Sequence, residues 1–174
     1  METKRAASRI LQTMMTAAMV CGGSTPVRAA DDNRAEVVTR RIVVSLPDRK
    51  LALLENDRVV SLYPVAVGAD QSPSPVGTFT IVSRVSNPTY YKPGKVIAPG
   101  ATNPIGSRWI GLSEKGYGIH GTDDPRSIGF AKSHGCIRLR NHDVEKLFER
   151  VRAGDVVELH AERTPEIAEL FAAR

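Results

Sequence analysis

RIVVSLPDRKLALLENDRVVSLYPVAV, residues 41–67, decides the fold class. Short runs of Val, Ile and Leu are separated by turn residues, the pattern of consecutive antiparallel strands. Ile42 to Leu46 is the first expected strand. Pro47-Asp48-Arg49 supplies turn chemistry before Leu51 to Leu54, and Glu55-Asn56-Asp57 does so before Val59 to Val67. Pro64 interrupts the third run. It has no N–H to give a ladder, so that segment is expected at a sheet edge or at a bulge.

Outward from this stretch, Gln71 to Gly77 forms a loop, and Thr78 to Val85 alternates apolar with polar residues as a half-buried strand does. Asn87 to Gly106 carries Pro88, Pro93, Pro99 and Pro104 with three glycines, and is expected to hold no regular structure. An excursion of that length suits a lid or binding loop as well as a plain connection. Arg108 to Leu112 and Gly118 to His120 are two more short strands around a turn at Glu114-Lys115-Gly116.

After Cys136 the apolar spacing changes to that of a helix. Val144, Leu147, Phe148 and Val151 share one face, with Asn141 to cap the start and Gly154 to end it. Val156 to Leu159 is the last strand. In the tail, residues 161–174, Thr164 caps a short helix that opens on Pro165 and carries Ile167, Leu170 and Phe171 as its stripe.

Residues 1–30 have the three parts of a secretory leader. Lys4, Arg5 and Arg9 are a positive start, Ile10 to Cys21 is apolar, and small residues reach Ala29 and Ala30 before Asp31-Asp32. The apolar stretch is shorter than the roughly 20 residues of a permanent span. The expectation is an exported, periplasmic or envelope protein with no permanent membrane span, a linker at 31–40 and one domain at 41–160.

Without the leader's Lys4, Arg5, Arg9, Arg28 and Glu2, the chain's 24 basic and 19 acidic residues become 20 and 18. A balance so even, with the two signs interleaved, gives no footprint for nucleic acid. Cys21 leaves with the leader, so Cys136 is the one remaining thiol and no internal disulfide can form. An unpaired Cys in an oxidising compartment is a candidate reactive group.

Reactive side chains gather at His120, Ser133, His134, Cys136 and Arg138. A thiol with an ordinary pKa of about 8.5 is only slightly ionised near neutrality, so a nucleophilic Cys needs a nearby imidazole, and two are on offer. Gly135 permits a turn closed to other residues and lets backbone N–H groups face a developing oxyanion. Arg138 stands two residues past Cys136, on the same side of an extended segment, where its fork suits a substrate carboxylate. His120, His134 and Cys136 are also legitimate zinc ligands, but no second ligand pair completes a site, so no metal is expected.

His-Gly-Thr at 120–122 and Ser-His-Gly-Cys-Ile-Arg at 133–138 together resemble the L,D-transpeptidase catalytic domain, or YkuD-like, family. The likeness runs from about Ile42 to Leu159. Tyr63-Pro64-Val65-Ala66-Val67-Gly68 and Ser74-Pro75-Val76-Gly77-Thr78-Phe79 resemble the family's strand and loop entry, with Ser74 where Thr is commoner.

The resemblance implies Cys136 as nucleophile and His120 as proton acceptor, with Gly121, Ser133, His134, Gly135 and Arg138 as substrate-binding or oxyanion residues. It implies a mainly β fold, an antiparallel β-sandwich or partly closed barrel with one main helix after the active-site strand. It implies no cofactor. The implied substrate is a peptidoglycan stem peptide, cut between its third residue and D-Ala, with the acyl group passed through a thioester to an amine. That amine belongs to another stem peptide, a wall-anchored lipoprotein lysine or a D-amino acid, while water would make the enzyme an L,D-carboxypeptidase. A sortase-like transpeptidase has the same order of His, Cys and Arg but a more distant Arg, and a non-catalytic wall-binding module would not need both His120 and Cys136.

Overall fold

The computed structural model describes residues 38–172. The expected leader at 1–30 and most of the linker at 31–40 lie outside the described residues. In chain order the first half comprises β1 (Arg40–Ser45), β2 (Lys50–Glu55), β3 (Arg58–Pro64), β4 (Val67–Gly68), β5 (Gly77–Ser86), β6 (Tyr90–Lys92) and β7 (Lys95–Ile97). Then follow β8 (Arg108–Leu112), β9 (Gly118–His120), β10 (Ala131–Ser133), β11 (Ile137–Arg138), α1 (Asn141–Arg150), β12 (Val156–His160) and α2 (Pro165–Ala172).

Eight strands form one curled sheet in the order β11-β9-β8-β5-β12-β1-β2-β3. The fold is mainly β, as the sequence pattern predicts. Antiparallel pairs dominate, but β1 pairs with β12 and β9 with β11 in parallel. Parallel neighbours need a crossover. The one joining β9 to β11 is Gly121–Cys136, which holds the second half of the reactive motif.

The unbroken apolar runs of β1 and β2 have a cause in the layering. Ile42, Val44, Leu51 and Leu53 face a core shared with Val144 and Leu147 of α1, while Val43, Ala52 and Leu54 face Ile167 and Phe171 of α2. Strands covered on both faces need apolar residues at every position rather than at every second one. The tail helix is therefore the outer cover of the sheet. Thr164 accepts from the Ile167 N–H at its start, and Pro165 takes the first helical position.

The expected run from Val59 to Val67 ends as a strand at Pro64, in β3, which is an edge strand, and resumes at β4 against β10. The expectation of no regular structure in 87–106 is corrected. β6 and β7 pair as a hairpin about Pro93-Gly94, with Gly94 at φ +73°. Pro presets φ at the second turn position and Gly supplies the positive φ at the third, so the residues that break long strands here close a short one. Asn103, fully buried, holds both ends of this excursion. Its Nδ2 donates to Pro88 O at 2.8 Å and Ala98 O at 3.2 Å, and its Oδ1 accepts from Ile105 N at 3.0 Å.

Helix α1 begins at Asn141 itself, with Arg140 at the cap position and no side-chain cap bond. It stops at Arg150, and Gly154 belongs to the turn before β12. Its last turn is held by the Arg84 guanidinium, which donates to Phe148 O and lies 4.1 Å over the Phe148 ring. No helix of the described residues is long and apolar enough to cross a membrane.

Removing the aromatic ring that α2 packs on the sheet should destabilise the whole domain. Phe171→Ala is expected to cost about 3 kcal/mol in denaturant unfolding. An unchanged midpoint would mean that α2 is not part of the cooperative unit.

Candidate active site

The parallel pairing of β9 with β11 sets Ile119 beside Ile137 and His120 beside Arg138. Both isoleucines are buried in the core, so their strand neighbours point the other way, into a cleft of about 870 Å³. His120, His134, Cys136 and Arg138 all line that cleft. Along 133–139 burial alternates. Ser133, Gly135, Ile137 and Leu139 are buried, while His134, Cys136 and Arg138 are more open.

The turn that presents Cys136 depends on Gly135, whose φ is +105°. A Cβ there would stand 2.6 Å from Tyr117 Cε1 and 3.1 Å from Pro73 O, so both conformation and space require glycine. Ser133 locks the turn from inside. Its hydroxyl donates to Cys136 O at 2.5 Å and accepts from the Gly135 N–H at 3.0 Å. The Gly135 N–H is thereby engaged within the turn, and the Cys136 N–H is the backbone donor beside the sulfur.

His120 is held on two sides. Its ring stacks on Trp109, with centroids 5.6 Å apart and planes 20° apart, and its Nδ1 lies 2.5 Å from Gly121 O. A carbonyl oxygen only accepts, so Nδ1 carries the proton and Nε2 keeps a lone pair. Burial, with the Arg138 guanidinium nearby, lowers the imidazole pKa from 6.5 to about 4. The ring is therefore neutral at ordinary pH.

Cys136 is partly exposed, and its Sγ points toward Gly116 O at 3.7 Å. Burial raises the thiol pKa, against the pull of the Gly118 N–H and Arg138 toward ionisation. Thiol and imidazole thus share the cleft as neutral groups. His134 is exposed and lines both this cleft and a second of about 350 Å³, which also reaches Asp124, Lys132 and Arg138. Among the described residues no group of three or more His, Cys, Asp or Glu side chains gathers where it could hold a metal.

Two supports were not legible as such in the sequence. Trp109 faces His120 only because β8 pairs with β9 in that register, a long-range fact. Asn141 Oδ1 accepts from Ser107 N at 3.3 Å and Thr122 N at 3.1 Å, which joins the start of α1 to the segment after His120. Gly121 leaves room for it, since a Cβ there would lie 2.1 Å from that oxygen. The motif around Tyr63 has a comparable part: Ala66 exchanges two 2.9 Å backbone bonds with Arg138 and covers the free edge of β11. Ser74 Oγ accepts from Gly68 N at 2.9 Å, a bond that needs only the hydroxyl common to Ser and Thr.

The L,D-transpeptidase catalytic domain (YkuD) family matches residues 39–159. YkuD of Bacillus licheniformis, a protein placed by name among the L,D-transpeptidases, is 43% identical over 124 residues, which are 71% of this chain and 67% of that protein. YkuD of Bacillus subtilis is 40% identical over 119 residues, 68% of this chain and 65% of its own length. The chain thus spans about two thirds of the length of these relatives. A solved L,D-transpeptidase from Mycobacterium smegmatis shares the fold, with a TM-score of 0.61 at 21% identity over 71% of this chain and 59% of that one.

The lowered imidazole pKa has a consequence for stability. The fold favours neutral His120, so this contribution is complete above the ordinary value of 6.5 and is lost as pH falls toward about 4. The full span corresponds to about 3 kcal/mol. His120→Asn should flatten the loss of unfolding free energy between pH 6.5 and 4, measured in urea. An unchanged slope would show that the ring is not buried in its neutral form.

Proposed function

The chain belongs to the L,D-transpeptidase catalytic domain family, and from that premise we propose that it is an exported enzyme which moves an acyl group from a peptidoglycan stem peptide to an amine through a thioester on Cys136. The observation that carries the reading is the oriented imidazole: Nδ1 turned to Gly121 O, Nε2 bearing its lone pair, in the cleft that holds the thiol.

The resting groups are neutral, so proton transfer accompanies attack instead of preceding it. His120 Nε2 takes the thiol proton as Cys136 Sγ adds to the carbonyl of the third stem residue. The oxyanion is received by the Cys136 N–H, with Arg138 adding positive potential. Collapse breaks the C–N bond, the imidazolium returns the proton to the leaving nitrogen, and D-Ala departs. Arg138 is suited to hold a carboxylate of the donor in a forked pair. An acceptor amine then attacks the thioester, giving a proton to His120 and releasing the thiol.

The two clefts suit this order of events, because both include Ser133, His134 and Arg138 and so flank the same turn. Export is supported by the leader pattern of residues 1–30.

Cys136→Ala should end D-Ala release from a tetrapeptide muropeptide, followed by mass spectrometry with and without an added amine. A rate near that of the parent would overturn the thioester route. His120→Ala is expected to lose about 10²–10⁴-fold and His134→Ala less, and inactivity of the second alone would exchange the two roles. Alkylation of the thiol should inactivate the enzyme while a chelator leaves it working.

A further inference from the structure

The larger cleft has a charge pattern that proton transfer at Cys136 does not use. Among the described residues lining it are the cations Lys92 and Arg138, and no Asp or Glu. Arg138 belongs to β11, while Lys92 belongs to the hairpin β6/β7, and both line the cleft. Lys92 pairs in register with Lys95 across the turn, and neither makes a salt bridge among the described residues. Like charges directly opposite each other weaken a two-stranded ribbon. Here the ribbon is held at its base by Asn103 all the same, which keeps its charged end beside the cleft.

We infer that Lys92, backed by Lys95, is a specificity-determining site for a free carboxylate on the acyl-donor peptide, additional to the carboxylate that Arg138 is suited to hold. The inference rests on the acyl-transfer reading above. Its chemistry is simple: with no acid in the lining, a donor carboxylate relieves the lysine pair, a carboxamide leaves it unrelieved, and a donor ammonium is repelled. The cleft of about 870 Å³ is lined by both cations, which come from different elements and can address two separate groups of one donor.

Two tetrapeptide stems that differ in one group, a carboxylate or a carboxamide on the third residue's side chain, test this with the full chain. D-Ala release should favour the carboxylate by about fivefold in kcat/KM, carried by KM, as suits one partly screened ion pair. Lys92→Gln should bring the ratio to about one, Lys92→Arg should retain it, and added salt should reduce it. A parent ratio of one, or a ratio untouched by Lys92→Gln, overturns the inference. If the parent releases D-Ala from neither stem, the acyl-transfer reading fails separately. Binding of the two peptides to the Cys136→Ala chain then decides the anion site: a preference lost with Lys92→Gln upholds it, and equal affinities overturn it.

Discussion

The site depends on one side-by-side pair of buried residues, Ile119 and Ile137. A strand's side chains alternate between faces, so anchoring these two in the core sends His120, Arg138 and the preceding Cys136 to the cleft. A slip of one residue would bury the reactive groups and expose the isoleucines. Burying such a side chain is worth about 2 kcal/mol, and an imidazole and a guanidinium without partners in the core would cost more. Register is thus enforced by hydrophobic burial before any catalytic interaction forms.

Within that register, electrostatics hold Cys136 and His120 toward their neutral forms. Burial disfavours both the thiolate and the imidazolium, and Arg138 opposes imidazolium while favouring thiolate. The sum leaves a neutral thiol and a neutral ring lining one cleft, with Nδ1 of the ring turned to Gly121 O. Thiolate chemistry, oxidation included, follows the ionised fraction. Among the described residues Cys136 is the one thiol, and burial holds it toward its protonated form. The tautomer and ring plane of His120 are fixed by a carbonyl and by Trp109.

The strand pattern and the reactive motif were legible because both are local. Alternation, turn residues and the spacing from Ser133 to Arg138 are all written within a few residues. What was not legible depends on contacts across the chain. Two-sided burial of β1 and β2 shows only as a run too continuous for a half-exposed strand, and its partner Phe171 lies more than a hundred positions away. Pro93-Gly94 breaks long regular structure by its composition, whereas the same two residues make the turn of a hairpin too short to have its own periodicity. Asn141 reads as a cap because Asn before an apolar stripe usually is one. Its amide oxygen instead meets two N–H groups brought near by the sheet, at a gap left by Gly121.

The placement of Cys136 beside the last strand of the sheet follows from the same topology. β11 is the terminal strand in the order of the large sheet, so space remains on both sides of the turn that precedes it. A bare edge would invite pairing with another chain. Ala66 satisfies the exposed N–H and carbonyl of Arg138, and it does so with one residue, between Pro64 and the short strand at Val67. Pro64 ends β3, and the chain reaches this bridge two residues later. Ala66 thus pairs the outer edge of β11 at Arg138 alone, and Cys136, two residues earlier, stays in the turn that lines the larger cleft.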